Sequence, residues 1–192
     1  MAKFVGKKNT AVFISGRGSN LKNLIKFSKK KISPIKIILV VTNNKNAKGL
    51  KFAKNKNIPF FICDYKNKVL SEKKIIKKVK KENIELICLA GFMKILSNNF
   101  IKKYNKSILN IHPSLLPKYK GLNTHQRVIK NKEDFTGSTV HLANSNLDSG
   151  KIILQRKIKI LKKDNPKSLE KRILKLESKL YPDAILKFFA NF

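Results

Sequence analysis

Asn110 and His112 are the two residues of this chain best placed to do chemistry. They stand two positions apart after the short apolar run Ser107-Ile108-Leu109, so an extended backbone points both side chains the same way. Pro113 then interrupts the strand and a loop closes on Gly121. An amide and an imidazole on one face at a strand end can stabilise an oxyanion and move a proton; the plainer alternative is a polar strand end feeding a Pro-rich loop. Asp148, in Leu147-Asp148-Ser149-Gly150, is the acid–base partner expected for His112, since a nearby carboxylate stabilises the imidazolium and fixes its orientation. The same Asp-x-Gly spacing also suits a simple turn cap. His141 alternates with Val140 and Leu142, which places it on one strand face as a support for the site, and His125 falls on a helix after Gly121. No His-x-x-x-His spacing and no cysteine pairing accompanies them, so no metal is expected.

A second constellation, Gly16-Arg17-Gly18-Ser19-Asn20, follows a strand and opens a helix. Glycines let backbone N–H groups approach an anion, the helix dipole favours negative charge there, and Ser19 and Asn20 add side-chain donors. The spacing is neither the dinucleotide fingerprint nor the P-loop, and a turn with an Asn or Ser N-cap would look the same. Beside two other loops of site character, it favours a phosphate.

The elements that must position these residues alternate along the chain. Thr10 to Ser15, Ile35 to Thr42, Pro59 to Cys63, Glu85 to Ala90 and the run into Asn110 read as buried strands. Between them, apolar residues at helical spacing predict helices over Leu21 to Phe27, Ala47 to Asn55, Leu70 to about Asn83 and Asn98 to Tyr104. That order predicts an α/β parallel sheet with helices on both faces, whose ligands collect at the carboxyl ends of the strands. The last third changes character: Thr136 to Ala143 and Ile152 to Ile160 alternate apolar and polar residues, as half-covered strands do. Asp164-Asn165-Pro166 then caps a final amphipathic helix through Leu169, Ile173, Leu176, Leu180 and Ile185, with Pro182 expected to kink it.

A chain of 192 residues with no internal repeat and no Gly/Ser linker is expected to be a single domain, 1–192, large enough to bury a core. The opening Met1 to Lys8 lacks the apolar core of a secretory signal, and the longest apolar runs are too short to span a bilayer, so a cytoplasmic protein with no membrane partner is expected. Cys63 and Cys88 each sit in an apolar run and read as reduced core cysteines. The formal charge of +33 invites a nucleic-acid reading. Only four arginines are present (Arg17, Arg127, Arg156 and Arg172), and the lysines are spread along the whole chain with many Asn, Ile and Phe. Base readers favour Arg and concentrate it, so the bias reads as A/T-rich codon usage with no specific nucleic acid. The positive field still attracts anionic substrates, and self-repulsion predicts a melting temperature that rises with ionic strength; scans between low and physiological salt check this.

Taken together, Gly16 to Asn20, Ala90 to Ser97 (A-G-F-M-K-I-L-S), Asn110 to Gly121 (N-I-H-P-S-L-L-P-K-Y-K-G) and Leu147 to Gly150 resemble the phosphoribosylglycinamide formyltransferase family, in order and over nearly the whole chain. S-L-L-P is shared by the wider folate-dependent formyltransferases. The Gly-rich first loop and the total length point to this member, because the tRNA-directed and deformylase relatives would carry a further domain. The resemblance implies a Rossmann-like three-layer α/β fold, with a mostly parallel central sheet and antiparallel strands in the C-terminal part. It implies transfer of a formyl group from 10-formyltetrahydrofolate, as co-substrate, to glycinamide ribonucleotide, without metal, in a monomer or weak homodimer. By the match, Asn110, His112 and Asp148 are catalytic, with Asn110 also touching the folate. Gly18, Ser19, Asn20 and Glu177 take glycinamide ribonucleotide, while Lys68, Met93, Lys94, Ile95 and Leu96 take the folate. Lys94 stands where the family has Arg, as does the region of Lys68, which keeps the charge but not the planar fork. Asp148-Ser149-Gly150 replaces Asp-Gly-Gly, and Lys120-Gly121 replaces Pro-Gly.

Overall fold

The computed structural model describes residues 6–190; Met1–Val5, part of the opening segment read above against a secretory signal, lies outside the described residues, as do Asn191 and Phe192. The elements in order are β1 (Lys8–Ile14), α1 (Ser19–Ser28), β2 (Ile35–Thr42), α2 (Leu50–Lys54), β3 (Phe60–Ile62), α3 (Lys68–Lys81), β4 (Leu86–Leu89), α4 (Asn98–Tyr104), β5 (Ser107–His112), α5 (Thr124–Lys130), β6 (Phe135–Leu142), β7 (Ile152–Lys159) and α6 (Pro166–Ala190). The strands form one mostly parallel seven-stranded sheet, ordered β3-β2-β1-β4-β5-β6-β7, with antiparallel strands at its C-terminal end and helices on both faces. The chain forms two compact units that divide between Leu109 and Asn110.

In the first unit β1 pairs parallel with β2 and with β4, and β2 pairs parallel with β3. The sequence explains the burial: every residue of Leu86 to Leu89 and of Ala11 to Ile14 is buried, as strands covered on both faces require. The chain leaves β1 towards β2 and returns to the other side of β1 as β4, which makes the carboxyl ends of β1 and β4 a topological switch point. Two short loops leave there, and Ser15 ties them together. Its N–H donates to the Gly91 carbonyl at 3.0 Å, and its Oγ accepts the Met93 N–H at 2.7 Å. Ser15 Oγ also donates to Asn43 Oδ1, and Asn44 Nδ2 donates to the Ser15 carbonyl at 3.2 Å.

The helix expected over Ala47 to Asn55 is shorter, Leu50–Lys54. The Gly49 N–H is instead drawn to the Gly16 carbonyl at 2.9 Å, and a Cβ on Gly18 would stand 2.5 Å from the Gly49 Cα. The preceding turn therefore packs backbone to backbone against the Gly-rich loop. α3 begins at Lys68 because Asn67 caps it, its side chain accepting the Leu70 N–H at 3.1 Å. The buried Glu72 of α3 accepts both the N–H (2.8 Å) and the hydroxyl of Ser97, and Ser97 in turn caps α4.

In the second unit β6 and β7 run antiparallel. β7 is partly covered, but β6 is buried at six successive positions from Thr136 to His141, against the expected alternation. Among its inward polar side chains Thr139 is well partnered: its Oγ1 donates to the Ser114 carbonyl at 2.7 Å and accepts from Leu116 N and Gln155 Nε2. α6 packs on β6 and β7, and Leu169 and Ile173 close a cluster with Val128 of α5; each such fully buried aliphatic side chain contributes about 1.5–3 kcal/mol. Asn165 opens α6, its side chain accepting the N–H groups of Lys167 and Ser168 at 3.0 Å. Pro182 lies inside α6, and the helix continues past it to Ala190 instead of breaking.

Candidate active site

Strand β5 ends with Asn110 and His112, and the side chains around them form a buried polar cluster in the second unit. Asp148 sits at its centre, 8% exposed, with φ +45. Its Oδ1 accepts Asn110 Nδ2 at 3.2 Å, and its Oδ2 accepts the Gly121 N–H at 2.9 Å and faces His112 Nδ1 at 3.2 Å. His112 Nε2 lies 2.8 Å from the Tyr119 carbonyl; a carbonyl only accepts, so this nitrogen carries a proton. With Nε2–H so committed, a neutral ring turns the bare Nδ1 towards the carboxylate, and only the imidazolium satisfies both acceptors.

His141 is locked in the complementary way. Its Nδ1 lies 3.0 Å from the Leu142 carbonyl, and its Nε2 lies 3.1 Å from Asn110 Nδ2 and 3.6 Å from Asp148 Oδ1. The Asn110 amide nitrogen thus donates to Asp148 and faces His141 as well. An oxyanion would have to take over one of these contacts.

The electrostatics also depart from expectation. Burial of His112 outweighs the raising influences of the Tyr119 carbonyl and of Asp148, and holds the imidazole below its usual 6.5. Asp148 does raise it, as expected, but is not the larger influence. For Asp148 itself burial pushes upward, while His141, the Gly121 N–H and His112 together hold the carboxyl below 3.8. His125, on α5 as expected, is likewise held below 6.5 by burial.

These shifts carry one sign. In each case the unfolded chain holds more protons than the folded one around the shifted value, so stability rises with pH. The histidine contribution is complete above pH 6.5 and is lost as pH falls through the lowered folded values. The urea midpoint is therefore expected to fall between pH 7 and pH 5, and less steeply in a His112→Gln, His125→Gln double variant; equal slopes in both proteins would contradict it.

Glu177, 4% exposed on α6, joins the same unit through Ser138. The Ser138 hydroxyl is 2.8 Å from the His112 carbonyl and 3.0 Å from Glu177 Oε1. In the first unit Gly18, with φ +74, is the N-cap of α1 and no side chain caps it. Ser19 and Asn20 are then the first two helical residues, which differs from the Asn or Ser cap weighed above. Their N–H groups are among those with no acceptor inside the helix. In the loop after β4, Met93 and Ile95 are 60% and 57% exposed whereas Leu96 is 5% exposed. Leu96 is therefore part of the core, and Met93 and Ile95 supply the apolar surface. Lys68 is exposed at the start of α3.

Sequence reasoning did not single out Ser15, Glu72, Tyr119 or Ser138, because their importance rests on hydrogen bonds to residues distant in the chain. Among the described residues no group of three or more His, Cys, Asp or Glu could hold a metal ion, and no helix is long and apolar enough to cross a membrane. Cys63 and Cys88 are free and buried.

Comparison with known proteins places this geometry in a family. Residues 8–185 match the formyl transferase model. Phosphoribosylglycinamide formyltransferase of Haemophilus influenzae is 40% identical over 187 residues, covering 96% of this chain and 88% of that protein. The crystal structure of phosphoribosylglycinamide formyltransferase from Brucella melitensis superposes with a TM-score of 0.90 at 38% identity, covering 97% of each chain. The trifunctional purine biosynthetic protein adenosine-3 of Gallus gallus is 40% identical over 182 residues, 93% of this chain, which spans only 18% of that relative's length. The chain belongs to the formyl transferase family. Within that family it is similar throughout to the phosphoribosylglycinamide formyltransferases.

Proposed function

We propose that the protein transfers the formyl group of 10-formyltetrahydrofolate to the amino group of glycinamide ribonucleotide, giving N2-formylglycinamide ribonucleotide and tetrahydrofolate in purine synthesis. The observation that carries this reading is the buried Asp148 carboxylate, which engages the Asn110 amide and faces the His112 imidazole at once. The substrate amine attacks the formyl carbon, and the carbonyl oxygen gains charge. Asn110 offers one of its N–H groups to that oxygen, and His112, protonated and held between the Tyr119 carbonyl and Asp148, stabilises the developing charge electrostatically. Asp148 stabilises the imidazolium, orients it, and orders a water between amine and leaving group, so that a proton lost by the attacking nitrogen reaches the departing one. The transfer is direct, through a tetrahedral intermediate.

Gly18, Ser19, Asn20 and Glu177 bind glycinamide ribonucleotide, the first three through the phosphate region. Met93, Lys94 and Ile95, with Lys68, Asn110 and the backbone of Leu96, bind the folate. The large exposed surfaces of Met93 and Ile95 suit a flat heteroaromatic ring, and the lysines suit the carboxylates of the folate's glutamate part. The protein acts as one formyltransferase domain, 1–192, in the cytoplasm, as a monomer or weak homodimer, with no metal, no membrane partner and no specific nucleic acid.

Calorimetric titration tests the substrate assignment. Glycinamide ribonucleotide is expected to bind the parent protein and to bind a Ser19→Ala, Asn20→Ala variant at least about ten-fold more weakly, the loss of one to two hydrogen bonds to a charged group. Equal affinity would remove these residues from the site.

A further inference from the structure

We infer that Tyr119 is a positioning residue for His112: its carbonyl, fixed in place by the Tyr119–Glu133–Asn131 side-chain cluster, holds the imidazole so that Nδ1 addresses Asp148. The inference deepens the function proposed above and rests on it for its kinetic arm only.

The loop from Pro113 to Gly121 wraps the His112–Asp148 pair from both ends. The Tyr119 carbonyl accepts from His112 Nε2 at 2.8 Å, and two residues later the Gly121 N–H donates to Asp148 Oδ2 at 2.9 Å, the same oxygen that faces His112 Nδ1. A carbonyl in a loop positions a ring only if the loop itself is held. Tyr119 has φ +56, a conformation unfavourable for a bulky residue that persists where its surroundings enforce it.

Those surroundings are specific. The Tyr119 hydroxyl donates to Glu133 Oε1 at 2.8 Å and accepts Asn131 Nδ2 at 2.9 Å. The Arg127 guanidinium lies over the Tyr119 ring, 5.2 Å from its centre, and donates to the Lys120 carbonyl at 2.6 Å, beyond the held residue. Before it, Ser114 Oγ donates to the Lys118 carbonyl at 2.7 Å and Lys118 Nζ pairs with Glu133 at 3.2 Å. The residues on either side of Tyr119 and its side chain are all anchored within the second unit, and its carbonyl is directed at one acceptor-seeking group.

Tyr119→Phe is the informative substitution because it removes the hydroxyl without changing charge and keeps the ring under Arg127. Asn131→Ala, also neutral, loosens the same cluster from the other side. The titratable and charged groups that influence His112, namely Asp148, His141, Arg127 and His125, are retained in both. The readout is the His112 ring titration followed by NMR, with its resonance assigned from His112→Gln, alongside steady-state kinetics and a thermal melt.

A loosened carbonyl no longer favours the protonated ring, so the His112 titration is expected to move to lower pH in both variants. kcat is expected to fall about ten-fold, with KM for either substrate changed less than about two-fold, since neither group touches substrate. Unchanged His112 titration in folded variants, with only the melting temperature lowered, would overturn the inference and leave Tyr119 a structural residue. If the parent protein proved not to transfer formyl groups, the proposed function would fail while the titration still decided the role of Tyr119.

Discussion

Replacing His112 by alanine or Asp148 by asparagine is expected to lower turnover by about 10²- to 10⁴-fold, the range over which positioned acid–base groups act. The two substitutions fail differently. His112→Ala removes the imidazole that faces Asp148 Oδ2 at 3.2 Å and, with it, the positive charge beside the developing oxyanion. Asp148→Asn is nearly isosteric yet reverses the hydrogen-bond sense at one atom. The carboxylate accepts from Asn110 Nδ2 at one oxygen and from the Gly121 N–H at the other. An amide placed there must turn an N–H₂ towards one of these donors, whichever way it flips. The imidazolium also loses its counter-charge. Because these groups act as a unit, the double variant is expected to be little slower than the worse single one. Steady-state turnover beside a melting curve checks this, and near-parental rates in either folded variant would remove the mechanism.

Gly150→Ala is expected to be almost as damaging, through the backbone. A Cβ at this position would stand 1.6 Å from the Leu142 carbonyl oxygen and 2.8 Å from its carbon. Those atoms end β6 and cannot step aside cheaply. The Leu142 N–H bonds the Lys151 carbonyl at 2.9 Å, and the Leu142 carbonyl holds His141 Nδ1 at 3.0 Å. Relief must come from the loop carrying Asp148, two residues away, or from His141. The substitution is therefore expected to cost about 3 kcal/mol of stability and to lower turnover about 10²-fold by displacing the carboxylate. Urea unfolding and kinetics on the same preparation test both halves. Parental stability would show that the loop yields without cost.

Much of this architecture could be read from side-chain types because most strands are short β-branched runs separated by helical stripes. Asn110, His112 and Asp148 stood out because their spacing and chemistry match a reaction. The reading failed where a residue's environment is set by distant chain. β6 looked half-covered because Thr136, Ser138, Thr139 and His141 are polar, yet all four are buried. Polarity is a poor guide to exposure where partners wait inside; Ser114, Leu116, Gln155, Glu177 and the backbone of His112 supply them for Ser138 and Thr139. The helix expected from Ala47 lost its first turn to the Gly16–Gly49 contact, another long-range event. For His112 the sign of one influence was legible, but its weight against burial required knowing how completely the ring is enclosed.

The most direct test of the account mixes the protein with 10-formyltetrahydrofolate and follows the folate absorbance in three parallel reactions, with glycinamide ribonucleotide, with initiator tRNA and with water alone. Conversion to tetrahydrofolate is expected only with glycinamide ribonucleotide, and at a rate at least about 10²-fold lower in His112→Ala. Conversion that proceeds equally in water, or that depends on the tRNA, would contradict it.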